Sequence, residues 1–174
     1  IAAVGNPPVA LRKRRPGDWQ QLSDFWQAVT PPEVQAIKPV PRQQYRMDVG
    51  LRLRWWLDDL AYRCQRSDWI LERGGDISAV LQITGQYTDA PHRLQLDSRP
   101  ECHGTVEDDL MATGLHKLRG LPDRDVVSTV SAAYPQAVEA FRRAGFQTVR
   151  ILDQMVFWCS SQAVERHERA ERTT

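Results

Sequence analysis

The sequence has little cysteine: Cys64, Cys102 and Cys159 are the three in 174 residues. An odd and widely spaced set builds no disulfide framework and fits a reducing, cytoplasmic compartment. Long hydrophobic runs are missing too. None approaches the ~20 residues of a membrane helix, and the N-terminus lacks the basic-then-apolar layout of a secretory leader. Ile1 stands where an initiator Met is expected, which reads as a processed or partial chain. There is no internal repeat and no Gly/Ser-rich linker, so one domain of ordinary size is expected. P-loop, dinucleotide fingerprint and Ser/His/Asp arrangement are all absent. The histidines His92, His103, His116 and His167 are scattered. Cys102-His103 has no second Cys or His at ligand spacing, which argues against zinc, and adjacent loop residues seldom converge as a dyad.

What is present is the mixture of a globular chain, 41% hydrophobic and 26% charged, with a net charge of +1. No global field therefore draws it to nucleic acid or membrane. The balance conceals a split, because residues 1–66 carry a net +5 and residues 67–174 a net −4. Among the basic residues 20 arginines outnumber 3 lysines, and their even spread reads as genome composition.

Periodicity predicts the elements. Val9 to Arg14 reads as a short strand, and its basic run as edge protection rather than a phosphate patch. Asp18 is placed to cap a helix with Leu22, Phe25, Trp26 and Val29 on one face, stopped by Thr30-Pro31-Pro32. Tyr45 to Gln65 reads as a helix whose apolar stripe is Leu53, Trp56, Leu57, Leu60, Ala61 and Cys64, with Trp55 and Trp56 as core and groove wall. From Asp68 the pattern becomes a meander: a strand at 69–73, a hairpin at Gly74-Gly75, a strand at 77–84 and a third at 93–98. Thr105 and Asp108 resemble a capping box opening a helix with Val106, Leu110, Met111, Gly114, Leu115 and Leu118 inward. A strand at 125–130, a helix at 134–144 closed by Gly145 and extended segments at 148–152 and 154–158 complete the core. Residues 163–174 are almost wholly polar.

Three stretches in this order resemble the GNAT family of N-acyltransferases, which use acetyl-CoA. Leu11-Arg12 through Pro16, Asp18 and Leu22 looks like its opening strand and first helix. Leu96-Asp97-Ser98-Arg99-Pro100-Glu101 with His103-Gly104 looks like its fourth strand and cofactor loop. Tyr134 through Ala137, Phe141, Gly145-Phe146 and Met155 looks like its fourth helix and closing strands. The resemblance implies a single α/β domain over residues 9–158, between an N-terminal extension (1–8) and a polar tail (159–174). In that fold a mixed, mostly antiparallel sheet is flanked by helices on both sides.

The same resemblance implies an acetyl or acyl group passed from acyl-CoA to an amine on a small molecule or a protein. It places Leu96, Ser98, His103, Gly104, Thr105, Val106 and Phe141 against the cofactor, Asp97 as general base and Tyr134 as the substitute general acid. The family loop runs Gln or Arg, two residues, Gly, one residue, then Gly or Ala, so that backbone amides meet a pyrophosphate. Here the window is His103 to Asp108, with Val106 and Asp108 at the small positions and Glu107, Asp108 and Asp109 in the first helical turn. Those carboxylates favour the helix end themselves and repel a diphosphate. Phe141 replaces a Tyr that many members use as proton donor. The alternative is therefore a catalytically silent GNAT-like domain, a binding or assembly module for a protein partner or a second copy. Neither membrane nor nucleic acid is expected as a partner.

Overall fold

A computed structural model describes residues 10–37, 45–46 and 49–153. The expected extension 1–8, the segment 154–158 and the tail 159–174 lie outside those residues. The elements are β1 (Arg12–Lys13), α1 (Trp19–Val29), α2 (Pro32–Ile37), α3 (Val49–Ala61), β2 (Cys64–Arg73), β3 (Asp76–Gln86), β4 (His92–Ser98), α4 (Glu107–Leu118), β5 (Val126–Val127) and α5 (Pro135–Arg143). The five strands form one sheet in chain order. The first three junctions are antiparallel and β4–β5 is parallel. The expected α/β architecture is therefore the observed one.

Alternation along β3 and β4 distributes the core between the two faces. On one face Leu81, Ile83, Leu94 and Leu96 pack with Leu110, Met111 and Leu118 of α4 and Ala137 and Phe141 of α5. On the other, Ile70, Ile77 and Val80 pack with Leu22 and Phe25 of α1. Ile77 and Val80 share a face despite their odd separation because the β2–β3 register slips between Leu71 and Glu72. Leu71 pairs with Ala79 and Glu72 with Ile77, so Ser78 is an extra, bulged residue. The hairpin tip is Gly74-Gly75 with φ of 61° and 91°, the left-handed pair that a two-residue turn requires.

The edge strand β1 is held by ion pairs. Arg12 forks onto Asp18 at 2.7 and 2.9 Å and reaches Glu72, while Arg14 pairs with Asp68 at 3.1 Å. Lys13 points to the opposite face, where it and Lys117 of α4 both lie over the Trp69 ring. Asp18 stands at the N-cap of α1 but makes no side-chain bond to its first turn; its carboxylate accepts the Arg15 amide at 2.6 Å instead.

Several boundaries differ from the sequence reading. The 45–65 helix is shorter, because Arg63 takes a left-handed φ of 47° and Cys64 already begins β2. Its expected apolar stripe faces outward: Leu53, Trp56, Leu57 and Leu60 are 56, 60, 50 and 64% exposed. The side turned toward the protein is instead Leu51, Trp55, Asp58 and Asp59, so Trp56 is not a core residue. The strand expected at 148–152 is not in the sheet, and Val149, Ile151 and Leu152 are exposed. The strand at 125–130 shrinks to Val126–Val127. Helix α5 ends as anticipated: Gly145 at φ 93° lets its amide reach Arg142 O and the Phe146 amide reach Phe141 O, with the two rings edge to face at 4.9 Å.

Close packing of α4 on the sheet depends on Gly114, where an added Cβ would lie 2.5 Å from Leu94 Cδ1 and 3.3 Å from Leu81 Cδ1. Helix propensity favours Ala over Gly by about 1 kcal/mol, whereas overpacking a filled core costs about 1–3 kcal/mol. Both leucines are fully buried, so the second effect wins. Gly114→Ala is expected to lower stability by about 1 kcal/mol in urea denaturation.

Candidate functional site

The loop between β4 and α4 starts from the bulge in β3. The Arg99 amide donates to Ser78 O at 2.9 Å and its guanidinium Nε to Ile77 O at 2.7 Å. The carbonyls exposed by the irregular register thus fix the point where the chain leaves the sheet. A single 3-10 turn, Pro100–Cys102, follows. The amides of Cys102, His103 and Thr105 then bond to Arg99 O, Pro100 O and Cys102 O at 2.8, 3.2 and 3.1 Å. The expected Thr105/Asp108 capping box does not form. Thr105 Oγ1 donates instead to Cys102 O at 2.7 Å, and Val106 stands at the N-cap of α4.

The remaining loop amides are taken by Glu107. Its Oε2 accepts the Val106 amide at 3.1 Å, and the carboxylate also draws on the amides of Gly104 and of Glu107 itself. The amides of Cys102, His103, Thr105 and Val106 are thus all bonded within the chain. The other carboxylate oxygen, Oε1, accepts from the Tyr134 hydroxyl, and Ser98 Oγ lies 3.3 Å from it and 2.5 Å from the phenol oxygen. His103 stacks on the Tyr134 ring with centroids 3.9 Å apart and places Nε2 at 3.2 Å from Ser98 O. Ser98 and Glu107 are each only 2% exposed.

Burial works against the Glu107 charge, but the Tyr134 hydroxyl and the three amides outweigh it and hold the carboxyl below its ordinary range. Burial first, and the adjoining Glu107 carboxylate second, push the Tyr134 phenol above its ordinary range. Tyr134 is thus held as a hydrogen-bond donor to Glu107.

Five of the expected site residues meet here: Ser98, His103, Gly104, Val106 and Tyr134. Thr105 stabilises the loop from its exposed side. Leu96 and Phe141 are core residues, Phe141 packing against Phe146. Asp97 alternates to the other side of β4, where Gln95 Nε2 donates to it at 3.1 Å and burial raises its pKa. Glu107, the centre of the cluster, was not singled out individually from the sequence. A signal existed, since Glu107, Leu110, Met111 and Gly114 are spaced i, i+3, i+4, i+7 and place the carboxylate on the buried stripe. Between the loop and α5 lies a cavity of about 340 Å³ lined by Gly104, Pro135, Gln136, Glu139 and Arg143. Its one cation, Arg143, is bound to Asp108 at 2.7 Å.

The architecture is thus a sheet in meander order with parallel β4 and β5, a loop-to-helix turn after β4 and a helix facing it. Comparison with solved structures identifies that architecture as the GNAT fold. The chain is similar to a GNAT-family acetyltransferase from Streptococcus pneumoniae (13% identity, 78% of this chain and 83% of that one, TM-score 0.58). It is similar to the ribosomal-protein-alanine N-acetyltransferase of Brucella melitensis biovar Abortus 2308 (11% identity, 86% and 100%, TM-score 0.55). A third similar structure is AAC(6')-Iy in complex with the bisubstrate analogue CoA-S-monomethyl-acetylneamine (12% identity, 86% and 98%, TM-score 0.51). No family model matches the sequence, and no curated protein matches it. At these identities the similarity establishes the fold and not the activity. Among the described residues, no helix is long and apolar enough to cross a membrane and no cluster of ligating side chains suits a metal.

A depressed Glu107 carboxyl contributes stability above its unfolded pKa, near 4.5, and loses it as pH falls below that value. Glu107→Gln is expected to cost about 2–3 kcal/mol at pH 7, where a charge-assisted network is broken. It should also flatten the acid limb of stability against pH by one group, read by urea denaturation at pH 7, 5 and 3.5.

Proposed function

We propose that this chain is a catalytically silent GNAT-fold domain, working as a binding or assembly module in the cytoplasm for a protein partner or a second copy. The carrying observation is the Glu107 carboxylate seated on the amides of Gly104, Val106 and Glu107. In the GNAT fold these are the donors that would receive the pyrophosphate of acyl-CoA, and one anion excludes another from the same amides. The charge of the site argues the same way. Glu107, Asp108 and Asp109 share the first turn of α4, and Arg143 is neutralised by Asp108. The catalytic positions also lack a free acid: Phe141 is a buried hydrocarbon and Tyr134 is committed to Glu107.

A second reading, the N-acyltransferase, is favoured by Asp97. Burial raises its carboxyl toward the range of a general base acting on an ammonium. In that reading acetyl-CoA or another acyl-CoA lies along the loop, with Leu96, Ser98, His103, Gly104, Thr105, Val106 and Phe141 beside it. Tyr134 then protonates the leaving thiolate, and the acceptor is an amine on a small molecule or a protein. That role requires Glu107 to leave its amides and release Tyr134.

Calorimetric titration with acetyl-CoA separates the readings. The module reading expects no heat of binding up to 1 mM acetyl-CoA and no CoA release in the presence of a panel of amines. A micromolar dissociation constant, abolished by Gly104→Asp, would overturn it in favour of the transferase.

A further inference from the structure

The opposite end of the sheet carries a different surface. A cavity of about 510 Å³ opens where β2, β3 and β4 meet the end of α3, and no residue of the β4–α4 loop lines it. The strand registers explain its composition. Arg66 of β2 pairs with Thr84 of β3, and Thr84 pairs with Arg93 of β4. Directly opposite residues share a face, so one rung presents arginine, threonine, arginine across about 10 Å, twice the strand spacing. Gln86 and Thr88 continue the polar wall beyond this rung, and Arg63 enters from the end of α3.

Charge and backbone both set this surface apart. Among the described residues no Asp or Glu lines the cavity. Arg66 is paired at 3.2 Å with Asp59, which approaches from α3. Arg63 and Arg93 have no ion-pair partner among the described residues. The nearby Asp89 is engaged by Arg124 at 3.0 Å. Arg63 is also the one described non-glycine residue with positive φ, at 47°, in a helix-terminating position where glycine is the unstrained choice. The fold thus keeps an arginine at a point of backbone strain in the cavity wall.

We propose that this cavity binds a phosphorylated small molecule. Guanidinium groups match phosphate oxygens in paired hydrogen bonds, and the hydroxyls of Thr84 and Thr88 add neutral donors for a third and fourth oxygen. A carboxylate offers two oxygens and leaves such a donor set underused. The volume suits a ligand of nucleotide size. This site is separate from the β4–α4 loop, so its occupancy does not depend on whether that loop binds acyl-CoA.

The test uses the full chain in 0.15 M salt with inorganic pyrophosphate, adenosine monophosphate and citrate, followed by calorimetry and melting temperature. Pyrophosphate or the nucleotide is expected to bind at least tenfold more tightly than citrate. Arg93→Gln should weaken that binding at least tenfold, while Arg119→Gln, an exposed arginine outside the cavity, should leave it unchanged. Arg63→Gly serves as the control for folding: relief of the positive φ should raise the melting temperature while binding weakens at least tenfold. Citrate binding as tightly as the phosphates, no binding at 10 mM, or wild-type affinity in both Arg93→Gln and Arg63→Gly would each overturn the proposal.

Discussion

A single carboxylate organises the turn between β4 and α4. Glu107 is buried, charged and surrounded by donors: three backbone amides, the phenol of Tyr134 and the hydroxyl of Ser98. An ionised group in such a place is tolerable only because each of its lone pairs is answered. The consequence is structural and chemical together. The Val106 amide that leads into α4 is held by this carboxylate, and β4 is tied to α5 through Ser98 and Tyr134.

The supports of this cluster reach well into the sheet. The bulge at Ser78 frees two carbonyls that Arg99 binds, so a register irregularity in the β2–β3 hairpin fixes where the loop departs. Gly114 lets α4 lie against Leu81 and Leu94, which sets the height of its N-terminus relative to Ser98. At the other side, the Gly145 turn and the Phe141–Phe146 contact close α5 and hold its first residues, including the Tyr134 N-cap, over the loop. A cluster with this many fixed supports is preorganised, and preorganisation around an internal anion opposes an external one.

The sheet and the helices packed on it were legible because their signals are local. Alternation marks β3 and β4, the double glycine marks the hairpin, and the 3.6-residue period marks α1, α4 and α5. Where the reading failed, nonlocal physics decided. The stripe of Leu53, Trp56, Leu57 and Leu60 is a true helical pattern, yet the sheet receives the Leu51–Trp55 side, a choice no helix-local rule contains. Likewise Val149 and Ile151 alternate without joining a ladder, since pairing depends on a neighbour strand and not on their own pattern. Glu107, Asp108 and Asp109 read alike in the sequence as one acidic first turn, yet Asp108 is exposed, Asp109 half-buried and Glu107 on the inward stripe. Its burial becomes intelligible only once Tyr134 and Ser98, 27 and 9 residues away, supply donors.

The charge split of the sequence takes a new meaning from these positions. At the C-terminal end of β4 the chain concentrates carboxylates and commits Arg143 to one of them, so the local field repels anions. At the N-terminal end of the same strand Arg93 joins Arg63 and Arg66 around an open cavity with no acid in its wall among the described residues. The two ends of one strand, some five residues and roughly 17 Å apart, thus present opposite electrostatic environments. Of the three cavity arginines Arg66 is paired with Asp59, while Arg63 and Arg93 have no ion-pair partner among the described residues. Sequence variation that neutralised Glu107 would change the field at the first end without touching the second, because the two share β4 but no hydrogen bond.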